Sequence, residues 1–209
     1  MDARTKRLLL VAASNLVNPV LALMWAIFAA STWITWSRTH SVVALLLFFV
    51  NTLFAVLFVL RRSSVATSEN PKDWMITAAT ILLSFSLRVV PESEIVRVAI
   101  ARALQGVGVA IILFSLGNLG RSFGLIPANR GIKTHGLYAY VRHPLYTGEM
   151  LFYIGFMVGS FTLPNFAICL CILLGLNVRA SAEERLLRRD EVYLKYLGRV
   201  HYRFFPGLY

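Results

Sequence analysis

Two short clusters of polar residues near the C-terminal end of the chain could do chemistry. The first, YAYVRHPLYTGEM at residues 138–150, places Arg142, His143 and Glu149 among aromatic residues just before an apolar segment. The second, NVRASAEERLL at 177–187, places an arginine four positions before a glutamate, so both side chains share one helix face. Guanidinium, imidazole and carboxylate groups can bind a charged ligand or move a proton. The two clusters therefore predict a binding or catalytic site.

The second cluster also has a plainer explanation. Arg179 and Glu183 could form an ordinary ion pair on the surface of a helix that leaves the bilayer, which would stabilise the helix very little. The neighbouring Glu184 argues against this explanation. Two adjacent carboxylates near a membrane boundary are costly unless cations or hydrogen-bond donors lie beside them.

The segments that must position these clusters are strongly apolar. Of the 209 residues, 57% are hydrophobic and only 15% are charged, and the mean hydropathy is +0.66. Soluble globular domains carry about 25% charged residues. The composition therefore predicts an integral membrane protein.

Apolar runs long enough to cross a bilayer recur along the chain, since a helix needs about 20 residues to span about 30 Å of hydrocarbon. We expect an all-α integral membrane protein with five to six transmembrane helices. Residues 1–119 are expected to form an N-terminal scaffold of four spans, and residues 120–209 a connecting loop, a helical hairpin and a helical tail. The expected scaffold spans are 8–36, 41–60, 74–90 (ending before Pro91) and 95–119, and the hairpin covers 148–178 with its turn at Pro164.

Lys and Arg residues concentrate in alternate loops, which indicates how the chain is oriented in the membrane. They are frequent at the N-terminus, in the second loop, in the 120–147 connection and in the C-terminal tail. We expect these segments, both termini and the site to face the cytoplasm. The basic start followed by LLLVAA is similar to a signal peptide, but the apolar run continues too far, so an uncleaved first span is expected.

Several functions are disfavoured. The net charge of +11 follows from the loop bias, so anionic membrane lipids are expected partners and nucleic acid is not. The four histidines lack metal-ligand spacing and the two cysteines lie in one apolar helix, so no metal site is expected. The glycines of GVG (106–108) and GNLG (117–120) follow no strand, so they indicate close helix packing and not a dinucleotide-binding fingerprint.

Together, the two clusters resemble the C-terminal half of the isoprenylcysteine carboxyl methyltransferase family, part of a membrane methyltransferase superfamily that includes phospholipid N-methyltransferases. The motifs that carry the resemblance are GLYAYVRHPLYTGEMLFYIG at 136–155, then PN, RASAEERLL, VYLKYLGRV and RFFPGL, in that order. The resemblance covers residues 120–207. It implies S-adenosylmethionine as the cofactor, held between the last helices and the tail, and a lipophilic methyl acceptor such as an isoprenylcysteine-like carboxylate or a related lipid.

The resemblance also implies roles for individual residues. It implies that Arg142, Arg179 and Glu184 are catalytic, with the two arginines orienting the methyl acceptor. For an amine acceptor, which must lose a proton before it can attack, Glu184 or Tyr146 would be the base. The cofactor-binding residues that it implies are Tyr138, His143, Pro144, Tyr146, Gly148, Glu183 and Glu184. Three tail residues are expected as walls of the site: Tyr193, Tyr196 and Phe205.

Glu149 departs from the resemblance, because eukaryotic members of the family tend to have an apolar or aromatic residue at this position. Glu149 is either a helix-start carboxylate favoured by the helix dipole or a contact to a cationic acceptor. The acceptor therefore stays open between a carboxylate and an amine, the latter as in a phospholipid N-methyltransferase. A sterol-reductase-like enzyme on the same scaffold and a non-enzymatic membrane protein are the remaining hypotheses.

Overall fold

The computed structural model describes residues 3–60, 64, 66–90 and 93–208, with side chains from residue 18 onward. The basic N-terminal side chains, Arg61 and Arg62 of the second loop, and Pro91 lie outside the described part. The helices within it are α1 (Ala3–Thr39), α2 (Val42–Leu60), α3 (Pro71–Ser84), α4 (Ile95–Leu119), α5 (Pro144–Gly159), α6 (Leu163–Leu187) and α7 (Glu191–Leu197). Two short strands, β1 (Ala66–Thr67) and β2 (Ala128–Asn129), and two 3₁₀ turns, Gly120–Ser122 and Gly136–Ala139, complete it.

The fold is that of a mostly helical, multi-pass membrane protein. Four of the described helical segments are long and apolar enough to cross a membrane: Asn18–Thr39, Val42–Leu60, Ile95–Ser122 and Leu163–Leu187. Helices α3 and α5 have 14 and 16 residues. At 1.5 Å per residue they are about 21 and 24 Å long, shorter than the hydrocarbon layer. The expected number of five to six crossings therefore stays a prediction.

Residues 85–90 are not helical, although the third expected span ran through them. The amide of Asn165 donates to the carbonyl of Arg88 at 2.8 Å and accepts from its backbone N–H at 3.2 Å. The hydroxyl of Ser160 pairs with both backbone groups of Val90 in the same way. Because these side chains satisfy the backbone polar groups, the chain can leave the helical conformation here without unpaired backbone donors and acceptors at Arg88 and Val90. The expected end of this helix was wrong by six residues.

Helices α5 and α6 are the two helices expected at the C-terminal end of the bundle, and a short turn at residues 160–162 joins them. Pro164 lies in the first turn of α6, just after this connection, where its missing N–H and fixed φ suit a helix start. The hydroxyl of Thr162 caps α6 by accepting a hydrogen bond from the N–H of Asn165. The neighbour against which α5 packs most extensively is α4.

Helices α4 and α5 come into backbone contact through glycines. A Cβ atom added at Gly108 would lie 2.6 Å from the carbonyl oxygen of Gly148, and one added at Gly148 would lie 2.6 Å from the carbonyl oxygen of Gly108. No described atom lies within 4 Å of a Cβ atom added at Gly106 or Gly117. The close helix packing expected of the α4 glycines is therefore found at Gly108, whose contact fixes the start of α5.

One end of the bundle collects three segments that are distant in the sequence. Strands β1 and β2 pair antiparallel, with Ala66 opposite Asn129. The side chain of Asn129 then donates to Asp190, at the start of α7, at 2.8 Å. The second loop, the connection after α4 and the C-terminal tail therefore meet at the same end, as the charge distribution predicted. Which face of the membrane this end occupies stays a prediction.

The glycine contact predicts the effect of one substitution. Gly108→Ala should destabilise the protein by about 2 kcal/mol, because the added methyl group must push the backbone of α5 away from α4. The matched control is Gly106→Ala, two residues away, which meets open space and should be neutral or stabilising by up to about 1 kcal/mol. Thermal unfolding of the two variants in detergent measures the difference, and equal melting temperatures would contradict the contact.

Candidate functional site

A cavity opens at the end of the bundle where the loops meet. It encloses about 900 Å³ of space when the open solvent at its mouth is included. Its wall is built from the 122–133 connection, the start of α5, the end of α6 and helix α7. The polar side chains on this wall include Arg130, Lys133, Tyr138, Arg142, His143, Tyr146, Glu149, Arg179, Glu183, Tyr193 and Tyr196.

Helix geometry brings the two sequence clusters onto this wall. Helix α5 begins at Pro144, so His143 is its N-cap residue. Tyr146 and Glu149 are three positions apart on α5 and therefore lie on one face. Arg179 and Glu183 do the same on the last turns of α6. The tail contributes Tyr193 and Tyr196 from α7, as expected.

Four residues that the sequence analysis placed in the site lie elsewhere. Pro144 is buried at the start of α5, and Gly148 contacts α4. Phe205 packs against an apolar cluster that includes Phe204. Glu184 is buried behind the cavity wall. The cofactor-binding roles of Pro144, Gly148 and Glu184 stay predictions, and Phe205 does not line this cavity, contrary to the expectation.

Glu184 is the centre of a buried cluster of cationic and polar groups. Its Oε1 atom lies 3.0 Å from His143 Nε2, 3.2 Å from Arg203 Nε and 3.5 Å from Arg142 Nη1. A carboxylate removed from water needs opposite charge and hydrogen-bond donors close by, and these three groups supply both. Glu184 therefore holds two residues of the cavity wall, Arg142 and His143, in place from outside the cavity.

Arg203 belongs to this cluster, and the sequence analysis did not single it out. It is buried, and its Nη1 and Nη2 atoms donate to Asn177 at 2.9 Å and to Ser181 at 2.7 Å. The available signal was weak: a single arginine in the motif RFFPGL, surrounded by aromatic residues. Its partners on α6 are about 20 positions away, so no local sequence pattern indicates the contact.

The other glutamate of the pair, Glu183, lies on the cavity wall itself. The Tyr146 hydroxyl donates to its Oε1 atom. The guanidinium of Arg179 stacks on the Tyr146 ring at 5.1 Å and donates to the carbonyl of Leu125 at 3.1 Å. Arg179 is only 5% exposed. The explanation of this cluster as an exposed surface ion pair is therefore wrong.

Three buried polar atoms of cavity-lining residues have no hydrogen-bond partner within the described part of the chain: Arg142 Nε, Arg179 Nε and Tyr193 Oη. Buried donors are normally satisfied, so each such atom calls for an explanation. Burial and the nearby Glu184 carboxylate raise the pKa of the Tyr193 phenol, so its hydroxyl keeps its proton and can donate. The cavity thus offers unsatisfied donors beside two carboxylates, Glu149 and Glu183.

One comparison with known proteins agrees with this geometry. Residues 95–193 match the family model of phospholipid methyltransferases. The match begins at the first residue of α4 and contains both polar clusters, whereas Arg203 lies beyond it. No match was found among curated proteins.

The buried cluster predicts a large loss of stability in one variant. Glu184→Gln should destabilise the protein by about 3 kcal/mol, because it leaves the buried guanidinium group of Arg203 and the partly buried one of Arg142 without their common counter-charge. Glu191→Gln, on the exposed face of α7, is the matched control and should change stability little. Denaturation in detergent compares the two variants, and an unchanged transition for Glu184→Gln would rule out the charge cluster.

Proposed function

From the match of residues 95–193 to the family model of phospholipid methyltransferases, we propose that this membrane protein is a methyltransferase that transfers a methyl group from S-adenosylmethionine to the headgroup of a membrane lipid. The observation that carries the proposal is the set of unpaired donors and two carboxylates that line one cavity. S-Adenosylmethionine as the donor and a lipid headgroup as the acceptor are therefore both part of what we propose.

The chemistry of the cavity wall fits the methyl donor. S-Adenosylmethionine supplies an electrophilic methyl group on a sulfonium cation, and it also carries an ammonium group, a carboxylate and ribose hydroxyls. The unpaired Nε atom of Arg142 suits the carboxylate, since guanidinium groups bind carboxylates through charge-assisted hydrogen bonds. Glu183 suits a cationic group. Tyr138, whose pKa is raised by burial, keeps a proton that it can donate to a neutral oxygen.

A lipid amine is the acceptor that we favour. At neutral pH an amine headgroup carries an extra proton, which must leave before nitrogen can attack. Glu149 lies on the wall with Glu183 and can accept that proton. The nitrogen lone pair then forms the new N–C bond while the C–S bond of the donor breaks, which yields S-adenosylhomocysteine. Glu184, which the sequence analysis named with Tyr146 as a possible base, is already held by three partners behind the wall, so we assign it a positioning role.

A lipid carboxylate, such as a prenylcysteine carboxyl group, is the second candidate acceptor. The unpaired Nε atom of Arg179 favours it, because a guanidinium group can orient a carboxylate. This acceptor is ionised already and needs no base, so alignment and removal of water would supply the catalysis. The two candidates therefore differ in whether Glu149 takes part in the reaction.

The walls of the cavity also suggest how each substrate arrives. Phe54, Leu119 and Leu145 form an apolar side, which suits the hydrocarbon part of a lipid that enters from the bilayer. The open mouth lies at the loop end of the bundle, where a water-soluble donor can enter. Because Lys and Arg residues concentrate at that end, we place it on the cytoplasmic side.

The donor proposal predicts the outcome of a calorimetric titration with S-adenosylhomocysteine. Detergent-purified protein should bind it with micromolar affinity, and Glu183→Gln should weaken binding about tenfold by removing a charged acceptor from the wall. Glu191→Gln, whose side chain is exposed on α7, should bind as tightly as the wild type. Absence of binding in folded wild-type protein would reject the methyltransferase reaction and favour another activity of the scaffold.

Glu149→Gln distinguishes the two acceptors. With an amine acceptor, methyl transfer should fall about 100-fold or more, because the variant lacks the group that takes the proton, while affinity for S-adenosylhomocysteine changes little. Transfer of a radiolabelled methyl group to vesicles containing phosphatidylethanolamine, and in parallel to a prenylcysteine, measures this. The carboxylate acceptor would be established instead if Glu149→Gln were fully active on the prenylcysteine and neither the variant nor the wild type methylated the vesicles.

A further inference from the structure

Arg203 lies outside the residues that match the family model, yet its guanidinium group is buried in the Glu184 cluster directly behind the cavity wall. We infer that Arg203 is a positioning residue. It fixes the Glu184 carboxylate and, through it, the tautomer of His143, so that His143 offers an acceptor nitrogen to the cavity. The effect on His143 is independent of the proposed function, whereas its consequence for the methyl donor rests on that function.

Arg203 is held rigidly by side chains of α6. Its three guanidinium nitrogens contact three different side chains of α6: Nε lies 3.2 Å from Glu184, Nη1 2.9 Å from Asn177 and Nη2 2.7 Å from Ser181. Lysine could not make three such contacts, because its ammonium group is a single point of charge. The side chain therefore has one position relative to α6.

Hydrogen bonds join the tail backbone to the start of α5. The N–H of Arg142 donates to the carbonyl of Tyr202, and the N–H of His143 donates to the carbonyl of Arg203, both at 3.0 Å. The Thr147 hydroxyl donates to the carbonyl of Phe204 at 2.7 Å. Arg203 thus connects α6, the tail and the segment that carries His143.

The Glu184 carboxylate determines which nitrogen of the His143 ring carries the proton. The Oε1 atom of Glu184 lies between the guanidinium groups of Arg203 and Arg142, so it is an ionised acceptor with no proton to donate. His143 Nε2, 3.0 Å from the same oxygen, must therefore be the protonated nitrogen. In the neutral ring Nδ1 then has a free lone pair.

The Nδ1 lone pair of His143 can accept a hydrogen bond from a ligand in the cavity. His143 Nδ1 lies 3.8 Å from Glu183 Oε2, which is too long for a hydrogen bond between them. Both residues line the cavity, so they present two acceptors side by side. A ligand with N–H or O–H donors suits this pair, and the ammonium and ribose hydroxyl groups of the methyl donor are such groups. Without Arg203, Glu184 would lose one of its cationic partners. The tautomer of His143 with its proton on Nε2 would then be less strongly favoured.

Nitrogen-15 spectra of the histidine rings test the inference in detergent-solubilised, full-length protein. The chain has four histidines, and the His143 signals are assigned by their loss in His143→Gln. We expect the Nε2–H form of His143 in the wild type. In Arg203→Met these signals should move away from that pattern while the other three histidines stay unchanged. Affinity for S-adenosylhomocysteine should fall about tenfold or more.

Two further variants make the test specific. Arg199→Met removes an exposed arginine of the same tail and should leave both the His143 signals and the affinity unchanged. Arg203→Lys keeps the positive charge but not the three contacts, and should shift the His143 signals part of the way. It also replaces Arg203→Met in the test if that variant does not fold.

The outcomes separate this inference from the proposed function. Unchanged His143 signals in folded Arg203 variants would overturn the inference, and a lowered melting temperature alone would show only a structural role for Arg203. His143 signals that respond to Arg203, in a wild-type protein that does not bind S-adenosylhomocysteine, would support the inference and reject the methyl donor.

Discussion

The burial of one carboxylate, that of Glu184, constrains the whole loop end of the molecule. A buried carboxylate is tolerated only when donors and opposite charge surround it. Here the donors come from three parts of the chain: Arg142 from the connection after α4, His143 from the start of α5 and Arg203 from the tail. Each part must therefore be in place before the others are stable, and the cavity takes its shape from that mutual dependence.

The apolar part of the bundle supports this arrangement through the contact between α4 and α5. Gly108 and Gly148 bring the two helix backbones together one turn after the N-cap of α5. Because α5 is rigidly seated on α4, Tyr146 and Glu149 project from a fixed surface into the cavity. Gly148 lies within the functional motif, and the contact that the structure shows for it is with a neighbouring helix.

Much of the site could be predicted from the sequence, because its residues lie in two compact motifs whose spacing is helical. Arg142, His143, Tyr146 and Glu183 meet as those motifs indicated. Contacts between distant segments could not be predicted. The early end of α3 depends on side chains about 70 positions further along the chain, and nothing in an apolar run reveals such partners. The position of Glu184 behind the cavity wall could not be predicted for the same reason, since one of its partners is in the tail.

The non-helical stretch at residues 85–90 has a consequence for the permeability of the membrane. It lies at the far end of the bundle from the cavity, where bare backbone groups would draw water into the hydrocarbon layer. Asn165 and Ser160 bind those groups instead, and neighbouring side chains such as Val89 remain apolar and exposed. The far end of the bundle therefore satisfies these backbone groups without water, whereas the loop end opens into the cavity.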